Sequence, residues 1–353
     1  MEFDDLGRFR APLEAGLRTA FREERRRAGR AFRPYLEAVE EFTLRGGKRF
    51  RALLLLAGYW IATGRDPAPA LPAAAALEQF QSWMLIHDDI IDHAETRRGG
   101  PTLHRAFAGR FPGAEETGTA DAFGTGIGIT LGDLEEPFTV DGLLAAPAPP
   151  ARTIAALREY VRMTRETAYG QLLDIANGAR PVGEVSERDV LTVHRLKSAV
   201  YTVAAPLRLG AILGGARPAL LADLDRIGLD VGTAFQLRDD VLGAGFDDGG
   251  SGKSANDLVE GKRTLLVVRA WTVGSEGQRA ALARVLGRPG ATPAEVDAAR
   301  EAIRATGSLD YSERRIRALH RRALRRIGSS RALRAPARPL LSEIAERLIH
   351  RSV

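Results

Sequence analysis

The sequence predicts an all-α protein. Three observations carry that prediction. Apolar residues recur at helical spacing along most of the chain, alternating apolar–polar runs with hairpin turns are scarce, and the breaks between periodic stretches are short. The first helical run spans 13–41, with Leu13, Leu17, Phe21, Leu36 and Val39 on one side. The same pattern predicts helices over 49–63, 73–93, 151–178, 187–214, 219–242 and 258–274, then 277–287, 293–305, 310–328 and 337–350. Gly46-Gly47, Asp66-Pro67, residues 178–183, Gly214-Gly215 and Pro289-Gly290 punctuate them. Two stretches read more loosely, the glycine-rich 109–127 and the Pro-rich 145–151, and both are expected to be mobile connections between helices. No shift in composition divides the chain and no short repeat is evident, so residues 1–353 are read as a single all-α domain of ten or more helices.

Composition narrows the chemistry. The 353 residues are 44% apolar and 27% charged, as in an ordinary globular chain. Cysteine is absent, which excludes disulfides, zinc–thiolate centres and thiol nucleophiles; a metal here must take oxygen or imidazole ligands. The best apolar run, Leu53–Ala62, is about half the ~20 residues of a membrane span, so no transmembrane segment is expected. Charges of both signs crowd the first 30 residues, which argues against a secretory signal or a transit peptide and makes a cytoplasmic location the expectation. The net charge of +6 raises nucleic-acid binding, but 45 interspersed acidic residues and 6% aromatics speak against it. Only four of the 51 basic residues are lysine: Lys48, Lys197, Lys253 and Lys262. In so arginine-biased a chain, a surviving lysine marks a place that needs a compact ammonium.

The chemistry concentrates in two constellations. His87-Asp88-Asp89-Ile90-Ile91-Asp92 lies in the helical run 73–93, and Asp88 and Asp92, at i and i+4, project from one face. Three carboxylates on a largely apolar helix are costly without a cation, and Mg2+ prefers such oxygen ligands. Gln236-Leu237-Arg238-Asp239-Asp240 repeats the pattern on a second apolar helix. A glycine-rich segment, Lys253, and Gly261-Lys262-Arg263-Thr264 follow it. Cations supply the complement: Gly46-Gly47-Lys48-Arg49-Phe50-Arg51 is a glycine turn opening a helix, Arg97-Arg98 follows the first aspartates, and Lys197-Ser198 pairs an ammonium with a hydroxyl. Metal ions and a polyphosphate ligand are the expected occupants.

Together these residues resemble the trans-isoprenyl diphosphate synthases, the polyprenyl synthetase family. The ordered matches are GGKRFR at 46–51, DDIID at 88–92, RRG at 97–99, GDL at 132–134, GQLLD at 170–174, KS at 197–198, FQLRDD at 235–240, GK at 252–253 and GKRT at 261–264. The resemblance implies a helical bundle around a deep central cavity, usually a homodimer. It implies that Asp88 and Asp92 ligate two Mg2+ ions and Asp239 a third, with Asp89 and Asp240 as supporting carboxylates. It implies that Arg97, Lys197, Gln236, Lys253 and Lys262 hold an allylic diphosphate or its metals, with the Ser198 hydroxyl beside them. Lys48, Arg51, Gln81 and Arg98 would then bind isopentenyl diphosphate; Gln81 stands seven residues before Asp88. In the family the departing pyrophosphate is thought to take the proton lost on condensation, in keeping with the lack of an obvious protein base. His87 reads as a packed histidine, and His93 and His104 receive no role. One departure stands out. The second motif ends in Gly243 where many members have a third aspartate, and Asp247 and Asp248 are candidates to replace it.

The resemblance also bears on product length. Residues one turn before Asp88, Met84 and Trp83, would form the floor of the cavity, and the bulk of Trp83 implies a short product: geranylgeranyl diphosphate first, farnesyl diphosphate second. A longer-chain polyprenyl synthase is one alternative and a class I terpene cyclase another, although a cyclase has no use for an isopentenyl site. A non-catalytic subunit would be expected to have lost motif aspartates, and five remain here. The arginines of 312–335 read as a solvated helix face.

Overall fold

The computed structural model describes residues 2–110, 119–246 and 256–350. Lys253, Asp247 and Asp248 lie outside the described residues. The chain is all-α, as its periodicity predicts. The helices are α1 (Arg10–Ala28), α2 (Arg33–Leu44), α3 (Phe50–Thr63), α4 (Leu71–Ile91), α5 (Leu103–Ala108), α6 (Ala120–Leu144), α7 (Pro150–Ala179) and α8 (Glu187–Val193). They continue as α9 (Ala205–Leu213), α10 (Pro218–Gly243), α11 (Asn256–Val259), α12 (Leu265–Val273), α13 (Glu276–Ala283), α14 (Pro293–Ala305), α15 (Ser308–Ser329) and α16 (Ala337–Ile349). Among the described residues the only strands are the two-residue β1 (Thr96–Arg97) and β2 (Gly100–Pro101), paired antiparallel.

The helices gather into two compact units. The first is Met1–Arg158 with Pro206–Ala216; the second is Glu159–Ala205 with Arg217–Val353. In the first unit, α6 lies along α4, and Phe21, Val39, Phe42, Ile86, Leu103, Phe107 and Leu131 form one apolar cluster. In the second, α10 packs on the segment before α9 and on α15, around Leu237, Val241, Leu266, Val267 and Ile316. Serine and threonine set several helix starts: Ser186, Ser275 and Thr292 each form a reciprocal capping box with the residue three positions on.

Four sequence expectations need correction. The run 258–274 is not one helix: α11 ends at Val259, and α12 starts at Leu265 after a turn through Gly261. Residues 120–127, read as part of a loose connection, are the start of α6. Glycine is a poor helix former, but Gly124, Gly128, Gly132 and Gly142 line one side of α6. A Cβ at Gly124 would overlap the His104 carbonyl, one at Gly128 would press on Ile90, one at Gly132 on the His87 ring, and one at Gly142 on Ala76. Close packing against α4 and α5 thus offsets the low propensity. The run 187–214 is one helical stretch, but its middle, His194–Ala204, is wound as a π-helix. The run 13–41 is broken at Gly29, whose φ of 88° starts a new direction. Residues 187–213 are also long and apolar enough to cross a membrane by composition; 72% of their most apolar window is buried within the protein, as in a core helix.

Candidate active site

The first aspartate motif occupies the last turns of α4. Asp88 and Asp92 sit a turn apart, linked by the Asp92 N–H donating to the Asp88 carbonyl at 2.8 Å. Asp89 points into the protein and is buried. Its Oδ1 accepts from Arg97 Nε at 2.8 Å and from Arg97 Nη2, while its Oδ2 is buried without a hydrogen-bond partner. Burial pushes the Asp89 carboxyl up, and Arg97 offsets that only in part. Arg97 therefore braces the motif from behind.

Arg97 and its neighbour diverge because of the turn between them. The β1–β2 hairpin closes through Arg98 and Gly99, with φ of 53° and 77°, a two-residue turn with both residues left-handed. Arg97 is thus delivered to Asp89, and Arg98 to the turn after α2. There Gly46 and Gly47, with φ of 61° and 95°, leave the backbone bare, and the Arg98 guanidinium lies across it. Its Nη1 donates to the Arg45 carbonyl at 3.1 Å and would stand 3.3 Å from a Cβ at Gly47. Two motifs some fifty residues apart in sequence, GGKRFR and RRG, meet here.

Arg49 fixes this turn. It is buried and left-handed, with φ of 53°. Its Nη1 donates to the Thr43 carbonyl and to Glu78 Oε2, and its Nη2 to the Leu44 carbonyl. With Arg49 anchored, Lys48 is left exposed on one side and Arg51 lies in the first turn of α3 on the other. The arginines crowd one another: lost solvation first, then Arg49, Arg51 and Arg97, lower the Arg98 pKa against the opposing pull of Glu78. Guanidiniums so close together favour an anion among them. Gln81, buried on α4, presents an Oε1 with no hydrogen-bond partner.

The residues before Asp88 fall on different sides of α4. At about 100° per residue, Met84 lies some 40° from Asp88 around the helix and Trp83 about 140° away. Trp83 shares the stripe of Ala76, His87 and Ile90 that meets the glycines of α6, and its ring packs edge-on against Phe80, with centroids 5.6 Å apart. His87 is held by the Trp83 carbonyl at 3.1 Å and by Asp133 at 3.3 Å, so it is a packed histidine. A cavity of about 540 Å³ lined by Leu17, Phe21, Pro72, Gln79 and Phe138 opens on the side of α4 opposite Asp88.

In the second unit, the Asp239 motif lies on α10. Asp240 is buried; its Oδ1 accepts from Gln236 Nε2 at 3.0 Å, and His194 Nε2 lies 3.0 Å from its Oδ2. Gln236 thus orients a carboxylate in this state. His194 opens the π-helical segment that also carries Lys197 and Ser198. Irregular windings of this kind often sit at functional sites. Gly170 lets the π segment approach α7 until a Cβ would overlap the Lys197 N–H, and Lys197 Nζ then reaches Asp174 Oδ2 at 2.6 Å. Lys262 follows Gly261, whose φ of 76° turns the chain outward, and pairs with Asp257 at 2.9 Å and Glu260 at 2.8 Å. Burial alone would lower the Lys262 ammonium, yet these carboxylates hold it well above the usual lysine value. Arg263 donates to the carbonyls of Gly178 and Arg180, and Thr264 caps α12. Arg238 anchors α10 to Glu313 and to the Ile349 carbonyl.

Sequence reasoning found the motif residues but missed Glu78, Asp174, His194 and Asp257. Only Asp174 carried a signal, at the end of GQLLD. The donor set suits Mg2+: oxygen ligands on helix ends, and a buried Asp89 oxygen still lacking a partner. Among the described residues no three acidic or imidazole groups converge as a preformed cage. That fits an ion that draws much of its shell from water and phosphate.

An all-helical fold with paired aspartates and cationic glycine turns defines a diphosphate-handling enzyme of the isoprenoid synthase fold. Residues 33–303 match the polyprenyl synthetase family, and the chain belongs to it. It is 33% identical over 321 residues to a geranylfarnesyl diphosphate synthase of Aeropyrum pernix, covering 87% of this chain and 91% of that protein. It is 30% identical over 329 residues to a geranylgeranyl pyrophosphate synthase of Geoglobus acetivorans, covering 91% and 90%. The geranylgeranyl pyrophosphate synthase of Corynebacterium glutamicum, solved with isoprenyl diphosphate and magnesium, superposes with a TM-score of 0.88 at 32% identity, over 98% of this chain and 99% of that one. The protein is a prenyltransferase that makes a short-chain prenyl diphosphate.

Proposed function

We propose that the protein joins isopentenyl diphosphate head-to-tail to an allylic diphosphate in a magnesium-dependent reaction, releasing pyrophosphate, with geranylgeranyl diphosphate as the favoured product and farnesyl diphosphate second. The observation that carries this reading is the meeting of Arg98 with Gly46-Gly47 while Arg97 is committed to Asp89. It gives the chain a cationic diphosphate seat separate from the aspartates, which a terpene cyclase does not need.

Asp88 and Asp92 in one motif and Asp239 in the other are the magnesium ligands in this reading, with three ions expected when substrate is bound. Magnesium bound there supplies Lewis-acid stabilisation of the leaving diphosphate. The residues of the chain do the rest. Arg97 holds Asp89, so that the motif keeps its shape as ions and substrate arrive. Gln236 and His194 do the same for Asp240. Lys197, Lys262 and Lys253 neutralise the allylic diphosphate, with Ser198 adding a hydroxyl, and Lys48, Arg51, Arg98 and Gln81 hold isopentenyl diphosphate with its double bond toward the allylic carbon. His87 is engaged with Trp83 and Asp133, which supports pyrophosphate as the proton acceptor.

Met84 shares the side of Asp88 and is the better placed floor; Trp83 is turned toward α6. The test is a product assay with Mg2+, isopentenyl diphosphate and each of dimethylallyl, geranyl and farnesyl diphosphate, read by mass spectrometry. A twenty-carbon or fifteen-carbon diphosphate is expected, and Met84→Ala should lengthen it more than Trp83→Ala. Hydrocarbon release without isopentenyl diphosphate would instead make the protein a cyclase. We also propose a homodimer, because α7 exposes Val161, Tyr169, Leu172, Leu173 and Ile175 along its length. Sedimentation at micromolar concentration should give twice the 38.2 kDa chain mass.

A further inference from the structure

The positive charge of the chain is concentrated in one place. Residues 308–338 hold ten arginines against Asp310 and Glu313, a net +8 where the whole chain has +6, so the remainder is slightly acidic. α15 carries seven of the ten, and they divide by direction. Arg322 and Arg326 turn inward. Arg322 Nε donates to Asp230 Oδ2 at 3.0 Å, Arg326 Nε lies 3.3 Å from the same oxygen, and Asp230 is buried on α10. With Ile316, Ala323 and Ile327 buried beside it, this clamp fixes the helix about its axis. Arg315 turns sideways to Glu187 at 3.6 Å. The other four, Arg314, Arg317, Arg321 and Arg325, are exposed. They fall within about 80° of one another around the helix and run about 16 Å along it.

We propose that this outer face of α15 docks the protein on an anionic lipid surface. Among the described residues, no carboxylate pairs with Arg321 or Arg325, nor with the exposed Arg331 just beyond the helix. Arg317 lies 3.5 Å from Glu313, but that carboxylate already accepts from Arg238 at 2.9 Å. The row is therefore a fixed array of uncompensated guanidiniums, each able to give paired N–H donors to a phosphate. A straight row on a convex helix suits a plane of lipid head groups. It suits nucleic acid less, because no Phe, Tyr or Trp stands between Arg314 and Arg334 for a base to stack on. None of the large exposed apolar residues lies on α15, so the attachment is electrostatic, reversible and sensitive to salt. Docking goes beyond the synthase reading and needs only the arginine face. The reaction gives it a use: the substrates are short and water-soluble, whereas the product carries a tail that dissolves in a bilayer. An enzyme resting on a leaflet releases that tail where a membrane-bound reaction that consumes a prenyl diphosphate can take it.

Co-sedimentation of the full chain with vesicles tests the proposal. Vesicles of equimolar phosphatidylglycerol and phosphatidylcholine should carry the protein down at about 0.1 M salt and release it at about 1 M, where screening shortens from about 10 Å to 3 Å. Vesicles of phosphatidylcholine alone should leave it in solution. Arg321→Gln with Arg325→Gln should weaken partitioning about 30-fold, roughly 5-fold for each charge near the surface. Adding Arg314→Gln and Arg317→Gln should abolish it. These side chains are exposed and outside the candidate active site, so the variants should fold and, without vesicles, turn over as the parent does. Four exposed arginines elsewhere, Arg18, Arg22, Arg26 and Arg30, provide a control of equal charge, and their change to Gln should leave most of the binding intact. Equal losses in the two sets would assign the effect to net charge and overturn the proposal. So would a parent chain that ignores anionic vesicles, binding that survives 1 M salt, or duplex DNA of random sequence that displaces the protein from the vesicles at matched phosphate. Vesicle binding without prenyl transfer by the parent would sink the synthase reading and leave the docking face standing.

Discussion

Glu135 is the residue with most at stake and no part in the chemistry. It is fully buried on α6, where Thr43 Oγ1 donates to its Oε1 at 2.6 Å and its Oε2 has no partner. Burial pushes its pKa from 4.5 to about 8. Below pH 4.5 the folded and unfolded chains both carry the proton. Between pH 4.5 and about 8 the unfolded chain has released it and the folded chain retains it, so stability falls as pH rises through that window. Glu135→Gln keeps the acceptor for Thr43 and should gain on the order of 3–4 kcal/mol at pH 8 over pH 5, relative to the parent. Denaturant titrations at the two pH values check this, and parallel curves would refute it. At this scale the sequence was informative about ligands and silent about their holders. Lysine scarcity singled out Lys48, Lys197 and Lys262, which sit at a glycine turn, a π segment and a left-handed glycine. Their partners Asp174 and Asp257, and the buried Glu78 behind Arg49, are picked by contacts between distant segments, which no local pattern encodes.

Elements were legible where apolar periodicity was strong and illegible where glycine interrupted it. α10 and α14 fall within a residue of their predicted limits. α6 was obscured because its glycines serve packing against α4 and α5 instead of flexibility. The π winding of His194–Ala204 was invisible for another reason: it shifts hydrogen bonding without changing which residues are apolar. A similar glycine device joins α3 to α9. A Cβ at Gly58 would overlap the Leu207 carbonyl, and one at Gly210 the Leu55 carbonyl, so the two helices cross with backbones nearly touching. Gly210→Ala should force them apart and cost about 1–3 kcal/mol, visible as a lowered melting midpoint. An unchanged midpoint would mean the crossing is looser than the geometry requires.

At the scale of the whole molecule, the family match spans residues of both units, and each unit carries one aspartate motif. The chain does not finish one unit before starting the other. α9 belongs to the first unit but follows α7 and α8 in sequence, and its Gly210 face completes the packing of α3. A fragment ending at residue 158 should therefore be poorly packed, with broad NMR lines and a tendency to aggregate, whereas the full chain should give dispersed spectra. During synthesis the same arrangement imposes a wait. Residues 159–216 must be added before the first unit has all its parts, a delay of roughly 3–12 s at bacterial elongation speeds, and longer once the ribosomal tunnel is counted. Through that interval the nascent chain presents the bare side of α3, rich in leucine, to whatever chaperones attend the ribosome.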